Sequence, residues 1–343
     1  MPTLRYLLGR AFGALVTLVL ASALSFAILR VVPGDPARLI AGPLATPEAL
    51  AALRDELGLN DGIAAQYVSY IGGFLSGDWG YSFASGADVS SVLAQRLPAT
   101  LELALVAFVI AVVGAVVCAL LATYRRGWFG TASKSLSLLG LGFPPFWLGL
   151  VLLLVFSSWL GVSPGPSGRL SSYLTAPPQI TGFYTVDSLL AGDVVAFSDA
   201  VAHLALPALA LAMLPWAFLT RLLTANLAET ATSPYVVVVR SKGVGRWSTH
   251  VRHVLHNAAL PTITSSGLVF ATLITGSVLI EQVFDWPGVG EVLVGGIQRQ
   301  DFAIVQAFVL LSAVVFIGIN FVVDIVNGFV DPRLRVVGAR SQP

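Results

Sequence analysis

The chain has 343 residues, of which 56% are hydrophobic and only 11% are charged, and its mean hydropathy is +0.84. Soluble domains carry about 25% charged residues, so this chain has too little charge to cover a soluble surface of its size. Lys and Arg number 19 against 18 Asp and Glu, which excludes the basic excess of a nucleic-acid-binding protein. A single cysteine, Cys118, excludes an internal disulfide framework. The composition therefore predicts an integral membrane protein.

Six apolar blocks are long enough to cross a bilayer as helices, which takes about 20 residues. The fourth block contains Pro207 and Pro215, so we expect its helix to kink. The sequence thus predicts an all-α integral membrane protein with six transmembrane helices. The blocks are Ala11–Leu29, Thr100–Thr123, Ser135–Leu160, Val201–Thr220, Thr262–Phe284 and Ala303–Phe329.

The segments between these blocks alternate in basic charge. Thirteen Lys and Arg residues fall in the two tails and in the second and fourth loops, against five on the opposite side. Because basic residues are retained in cytoplasmic loops, this bias predicts that both termini are cytoplasmic. A signal peptide cleaved near Ala21–Ala23 is the alternative for the first block, but its apolar run continues to Leu29.

The first external loop, Val32–Ala99, is long and acidic. Within it, Thr46, Pro47 and Glu48 are a cap, a first-turn proline and an early acid, and Gly58 follows as a stop. This pattern predicts about three turns of helix on the outer surface. The third loop, Gly161–Ala200, is rich in Pro, Gly and Ser, which predicts irregular surface structure.

The fourth loop is the informative cytoplasmic segment. Ser233 and Pro234 predict a helix start with a side-chain cap, and Gly243 predicts the end of a two-turn helix over Tyr235–Lys242. The run of four valines, Val236–Val239, is too apolar for a purely solvated face. Either a partner subunit or the inner ends of the chain's own spans must cover it. A second helical stretch, Arg246–Asn257, leads into the fifth span.

Several patterns argue against chemistry carried by this chain alone. There is no G-x-x-x-x-G-K-[ST] loop, so the sequence does not cradle nucleotide phosphates in that way. We expect no metal, because the spacing of His250, His253 and His256 spreads their side chains around a helix within a basic segment. We also expect no cofactor.

Polar residues within the apolar blocks are the candidates for a solute path. Glu102 and Glu281 lie near the external ends of their spans and Asp324 near an internal end, so we expect all three to reach water or headgroups. Five neutral side chains either line a path or serve as contacts between helices. These are Ser265, Ser266, Thr272, Thr275 and Asn320.

Motifs spread along nearly the whole chain resemble the permease subunits of bacterial binding-protein-dependent ABC importers, in the dipeptide, oligopeptide and nickel group. The run VPGDPA at 32–37 is similar to a signature of that group, and RLPATLE at 96–102 is similar to its entry into the second span. PPFWLG at 144–149, EQVFDWPG at 281–288 and DPR at 331–333 resemble further motifs, with Pro144 and Pro145 adjacent where proline and serine are usual.

The most specific similarity is to the EAA loop, the cytoplasmic coupling element of these permeases. It covers Tyr235–Gly243, then Arg252 and His253, and Asn257–Pro261. Valines replace the usual small and polar residues of the loop, whereas the Lys-Gly step is retained. The resemblance implies that the ATPase-coupling residues are Tyr235, Val239, Arg240, Ser241, Lys242 and Gly243.

The resemblance implies a type I ABC importer permease fold in the bacterial cytoplasmic (inner) membrane. It implies a non-catalytic subunit that pairs with a second homologous permease, is driven by two cytoplasmic ABC ATPase subunits and receives solute from an extracytoplasmic binding protein. It also implies a unit at 1–99, comprising one span and the external loop. A five-helix core follows at 100–331, with its coupling loop at about 221–261, and a tail at 332–343.

Peptides are the expected cargo from base rates, with nickel chelates, glutathione or another small solute as alternatives. Two rival classes predict other features. A proton-coupled secondary transporter needs buried acids and inverted repeats, and neither is clear in the sequence. An intramembrane enzyme needs a nucleophile and a base at bilayer depth. Mid-span serines are scattered, and His203 stands alone in the sequence.

Overall fold

A computed structural model describes residues 4–31, 36–42, 45–124, 135, 140 and 142–330. Three sequence features fall outside these residues: most of the VPGDPA motif, the basic residues of the second loop, and the tail from residue 331 with its DPR motif. The described part is mainly helical. A short antiparallel pair, β1 (Tyr81–Ser82) and β2 (Ala87–Asp88), is a small departure from the all-α prediction.

The N-terminal part consists of α1 and three helices of the first loop. Thr46 caps α3 by accepting a hydrogen bond from the Ala49 N–H, and Gly58 follows the helix end at φ +62°. The predicted loop helix is therefore confirmed. The bounds are α1 (Leu4–Val31), α2 (Pro36–Ala41), α3 (Pro47–Glu56) and α4 (Ile63–Ser76).

The central part contains the longest helices. The second predicted span begins 11 residues earlier than the apolar block, and the fourth runs through Pro207 and Pro215 without ending. Of the third span, Pro145–Trp159 is helical, with a π-helical second half. The bounds are α5 (Val89–Tyr124), α6 (Pro145–Leu152) with π1 (Leu153–Trp159), α7 (Tyr184–Leu190) and α8 (Val194–Ala231).

The C-terminal part holds the helix predicted to be cytoplasmic and the last two predicted spans. The fifth predicted block is interrupted at Ser277, whose hydroxyl lies 2.9 Å from the Ile274 carbonyl oxygen and 2.8 Å from Glu281 Oε1. The bounds are α9 (Pro234–Ser241), α10 (Arg246–Ser248), π2 (Thr249–Val254), α11 (Leu255–Gly276), α12 (Val278–Phe284), α13 (Val289–Gln298) and α14 (Phe302–Val330).

Four helical stretches within the described residues are long and apolar enough to cross a membrane. The first and third predicted spans correspond to the shorter apolar helices Ala11–Ala27 and Pro145–Trp159. The six-span count and the cytoplasmic termini are compatible with this arrangement and stay predictions. The four long stretches are Val89–Tyr124, Val194–Ala231, Arg246–Gly276 and Phe302–Val323.

Helices α5 and α8 form the centre of the packing through small residues. Ala104, Ala107 and Ala111 of α5 are fully buried, and so are Ala208 and Ala210 of α8. Small side chains let two backbones approach closely, which is the usual basis of helix association in a bilayer. At a second contact Gly267 of α11 leaves room for Val323 of α14, because a Cβ there would overlap a Val323 methyl carbon.

Candidate functional site

Helix α9 is the candidate coupling element, and its ends follow from local sequence. Pro234 occupies the first turn, where its missing N–H costs no hydrogen bond. Ser233 is extended but makes no side-chain cap bond, so the predicted side-chain cap is wrong. The chain leaves the helix at Gly243 with φ +80°, a conformation that glycine adopts without strain. The predicted stop is therefore confirmed.

The valines of α9 divide between two environments. Val236 is 1% exposed and packs with Ala119, Leu227 and Val254 of the chain's own helices, whereas Val237 and Val238 are 65% and 54% exposed. Of the two covers expected for the valine run, the chain's own helices supply the one over Val236, since a pocket between α5, α8 and π2 receives that side chain. Two valines remain uncovered on the outer side of α9.

Polar contacts fasten α9 to the helix that leads into the fifth span. The Tyr235 hydroxyl donates to the His253 carbonyl oxygen at 3.1 Å and accepts from the Asn257 side-chain amide at 2.9 Å. Close by, the Thr123 hydroxyl lies 2.8 Å from His250 Nε2 and joins α5 to π2. These contacts connect α9 to the helix that leads into the fifth span, and connect π2 to the second span.

The other predicted coupling residues lie at the exposed end of α9. Arg240, Ser241, Lys242 and Gly243 are exposed, and Val239 is half-buried. The Ser241 hydroxyl donates to the Val238 carbonyl oxygen at 2.8 Å, within the helix. The structure thus brings all six predicted residues into one short element.

The pathway candidates are divided by the structure. Thr272 and Thr275 are exposed and Ser265 is partly exposed, all on one face of α11. Ser266 is buried, and its hydroxyl donates to the Thr262 carbonyl oxygen at 2.7 Å. Asn320 lies on α14, half-buried, and donates to the Phe316 carbonyl oxygen.

The exposed face of α11 combines three threonine hydroxyls with one leucine. Thr264, Leu268, Thr272 and Thr275 recur at intervals of three or four residues, so they share one side of the helix. The exposed side of α5 between Leu105 and Leu121, by contrast, is entirely apolar, as lipid contact requires. Its residues are Leu105, Val109, Val113, Val117 and Leu121.

Glu102 is buried, so the expectation that it reaches water is wrong. It is 2% exposed, accepts hydrogen bonds from the Thr185 N–H and hydroxyl, and pairs with the Arg169 guanidinium. Arg169 also donates to the Gly182 carbonyl oxygen at 2.7 Å and lies 3.7 Å above the Tyr184 ring. This buried pair fixes the third loop on the start of the second span.

Glu281 is completely buried as well, against the same expectation. Its carboxylate accepts from the Thr100 and Ser277 hydroxyls at 2.7 and 2.8 Å and from the Gly290 N–H at 2.7 Å. It therefore joins α5, α12 and α13. An acid inside an apolar block indicates from sequence that Glu281 has a special role. The sequence does not indicate its hydrogen-bond partners, because they lie up to 181 residues away.

The third loop is more ordered than its composition predicts. Burial opposes ionisation of Asp187, but hydrogen bonds from the Thr181 hydroxyl and from the N–H groups of Thr181, Gly182 and Ile180 outweigh it. They hold the pKa of the Asp187 carboxyl below its usual value of 3.8. The charged carboxylate thus organises the turn that precedes α7.

His203 does not stand alone, which corrects the reading from sequence. Its Nε2 lies 3.1 Å from the Ser167 hydroxyl, and its Nδ1 lies 3.3 Å from a carboxylate oxygen of Asp199. A hydrolase triad uses the same three residue types. Here His203 is 5% exposed and Asp199 also accepts from the Ser171 N–H and hydroxyl, so the set holds the third loop to α8.

Comparison with known proteins decides between a transporter subunit and an enzyme. Residues 111–336 match a family described as the inner membrane component of binding-protein-dependent transport systems, and residues 3–104 match the N-terminal part of such a component. The chain belongs to this family. The family consists of non-catalytic permease subunits of ABC importers, so the permease is not an enzyme. As an inner membrane component, it is located in the inner membrane.

Curated relatives match the permease over almost its full length. It is 36% identical over 336 residues to the dipeptide transport system permease protein DppB of Escherichia coli strain K12, covering 97% of this chain and 99% of that protein. It is 37% identical over 331 residues to the di/tripeptide transport system permease protein DppB of Pseudomonas aeruginosa strain UCBPP-PA14, covering 96% and 98%. The family resemblance predicted from the motifs is confirmed.

Proposed function

We propose that the permease forms part of the translocation pathway of an ATP-driven importer whose cargo is di- or oligopeptides. The observation that carries this proposal is full-length similarity at 36–37% identity to permeases named for dipeptide and di/tripeptide transport. Nickel chelates and glutathione are the alternative cargoes.

The proposed assembly contains a second homologous permease, two cytoplasmic ABC ATPase subunits and an extracytoplasmic binding protein. The exposed valines of α9 support an ATPase contact, because Val237 and Val238 are apolar, adjacent and uncovered by the chain itself. In this arrangement Tyr235, Val239, Arg240, Ser241, Lys242 and Gly243 form or border the contact, and α9 transmits ATPase closure to the spans.

The exposed face of α11 supports a pathway between two permeases. Lipid favours an apolar surface such as that of α5, whereas a water-filled path accepts hydroxyls. We assign Thr272, Thr275 and Ser265 to this path. Ser266 is buried, and Asn320 is half-buried on α14, away from this face of α11. Both serve helix packing in this proposal.

The proposed organisation follows these roles. Residues 1–99 supply one span and the external loop, residues 100–331 the five-helix core, and 332–343 a short tail. The coupling loop at about 221–261 lies within the core. The acidic external loop is assigned to docking of the binding protein.

Uptake in membrane vesicles separates this proposal from a proton-coupled secondary transporter. Vesicles that contain the complete importer and its binding protein should accumulate dipeptide with ATP and lose accumulation with a non-hydrolysable ATP analogue. Dissipating the proton gradient while ATP is held constant should leave the initial rate unchanged. Uptake that follows the proton gradient and ignores the analogue rejects the proposal.

A further inference from the structure

A pocket of about 370 Å³ opens between the third loop and the segment that follows α12. Its volume lies within the range of roughly 300–1,000 Å³ of sites that hold small molecules. Four charged side chains line it, two of each sign: Arg96, Arg169, Asp285 and Glu291. The predicted topology places the pocket on the extracytoplasmic side.

Arg169 forms a fixed wall of this pocket. Its side chain is 7% exposed, pairs with Glu102, and donates to the Gly182 carbonyl oxygen. The Tyr184 ring lies 3.7 Å from the guanidinium. Glu102 neutralises the charge of Arg169, and three contacts hold its side chain in place. Arg169 therefore shapes the pocket, and the other three charged side chains are the ones available to pair with charges of a ligand.

In the ion pair between Arg96 and Glu291, a ligand carboxylate can take the place of Glu291. Arg96 Nη1 lies 3.2 Å from Glu291 Oε2, and both side chains are 39% exposed. Ion pairs that water reaches contribute only about 0–1 kcal/mol, so an arriving carboxylate replaces Glu291 as the partner of Arg96 at little cost.

Asp285 supplies an unpaired negative charge beside this pair. It is exposed, and within the described part of the chain its carboxylate has no hydrogen-bond or ion-pair partner. It ends α12 in the left-handed conformation, with φ 53°. The pocket thus offers an available carboxylate and an exchangeable guanidinium on one concave surface.

We propose that this pocket is an outer subsite for a small zwitterionic solute, whose ammonium group lies beside Asp285 and whose carboxylate binds Arg96. The proposal rests on the proposed function, since a dipeptide carries both groups. A recessed pocket with both charge signs fits a small solute better than a flat protein contact does. Asp285 also directly follows α12, which continues from α11 and its hydroxyl-bearing face towards the predicted outer side.

Protection of an introduced thiol tests the subsite without requiring transport. Ser172 is exposed and lines the pocket. In the assembled importer with Cys118→Ser, the thiol of Ser172→Cys is labelled from outside, and alanyl-alanine is added without binding protein. By mass action, peptide at three times its Kd should slow labelling about fourfold. N-acetyl-alanyl-alanine amide, which lacks both charges, should give no protection.

Three controls make the result decisive. Asp285→Asn should abolish protection while keeping the helix end, because Asn tolerates the left-handed region. Asp88→Asn, an exposed external acid outside the pocket, should retain it. Ser85→Cys should be unprotected in every case. An unprotected pocket thiol, or equal protection in Asp285→Asn, overturns the subsite.

Dipeptide uptake by the same preparation tests the proposed function separately. If the importer takes up dipeptide while the pocket thiol stays unprotected, the subsite is rejected and the cargo assignment stands. If no dipeptide is taken up with ATP and binding protein present, the cargo assignment fails.

Discussion

The Tyr235 hydroxyl lies 2.9 Å from the side-chain amide of Asn257 and joins helix α9 to α11, the helix of the fifth predicted span. The same hydroxyl donates to the His253 carbonyl oxygen at 3.1 Å. Val236, the next residue, is buried among residues of α5, α8, π2 and α11. Thus α9 has one fixed side, formed by this chain, and one free side.

Tyr235→Phe should loosen this connection without removing the ring. The lost hydrogen bonds should lower stability by about 0.5–1.5 kcal/mol, and we expect less solute transported per ATP hydrolysed. Asn257→Ala should give a similar loss, and the double variant should lose less than the sum, because both act on one contact. Additive losses in a double-mutant cycle of thermal stability would contradict the shared contact.

The two sides of α9 should respond differently to substitution. Val236→Ala removes buried carbon and should destabilise the permease by about 1.5 kcal/mol or more, at about 0.8 kcal/mol per methylene. Val237→Asp should leave thermal stability nearly unchanged and weaken copurification of the ATPase subunits. If Val237→Asp copurifies with them as the parent does, the free side is not the contact.

Gly243 and Gly245 form a matched pair for testing the end of α9. A Cβ at either position meets open space, but only Gly243 has a positive φ, of 80°. Gly243→Val should therefore misplace the helix end, at a cost of about 1–2 kcal/mol, and uncouple ATP hydrolysis from uptake. Gly245→Val should behave like the parent. Equal ATPase and uptake rates in both variants would show that this turn does not transmit coupling.

Alanine substitutions at Gly290 and Gly295 of α13 separate the effect of close packing around Glu281 on stability from the effect of helix propensity. A Cβ at Gly290 would lie 2.7 Å from Glu281 Oε2 and 2.7 Å from the Val278 Cα, whereas at Gly295 it meets nothing within 4 Å. Gly290→Ala should lower the melting temperature of the detergent-solubilised protein. Gly295→Ala should raise stability by up to about 1 kcal/mol. The reverse order would contradict the close packing around Glu281.

The spans and the coupling helix were predictable because their signals are local. Apolar length predicts a span, and Pro234 with Gly243 predicts α9 and its end. Partners distant in sequence were not predictable. Nothing local indicates that Val236 is buried while Val237 is exposed, since this depends on where α5 and α8 lie. The burial of Glu102 likewise depends on Arg169, which the composition of the third loop does not distinguish from exposed surface.

The charged outer pocket was missed for a similar reason. Arg96 and Glu291 are 195 residues apart in sequence, and the motif at 96–102 that contains Arg96 gives no indication of Glu291 as its partner. Only the packing of α5 against α13 brings them together. The sequence signal available at this site was limited to Asp285, an acid directly after an apolar block.

Uptake into proteoliposomes tests the central claim most directly. The liposomes contain this permease, the second permease and both ATPase subunits, and binding protein and labelled alanyl-alanine are supplied outside. We expect labelled alanyl-alanine to accumulate only when ATP is present inside and binding protein outside. Excess unlabelled dipeptide should suppress this accumulation, whereas glutathione and a nickel chelate should not. Accumulation without ATP, or suppression by glutathione or the nickel chelate but not by dipeptide, would contradict the account.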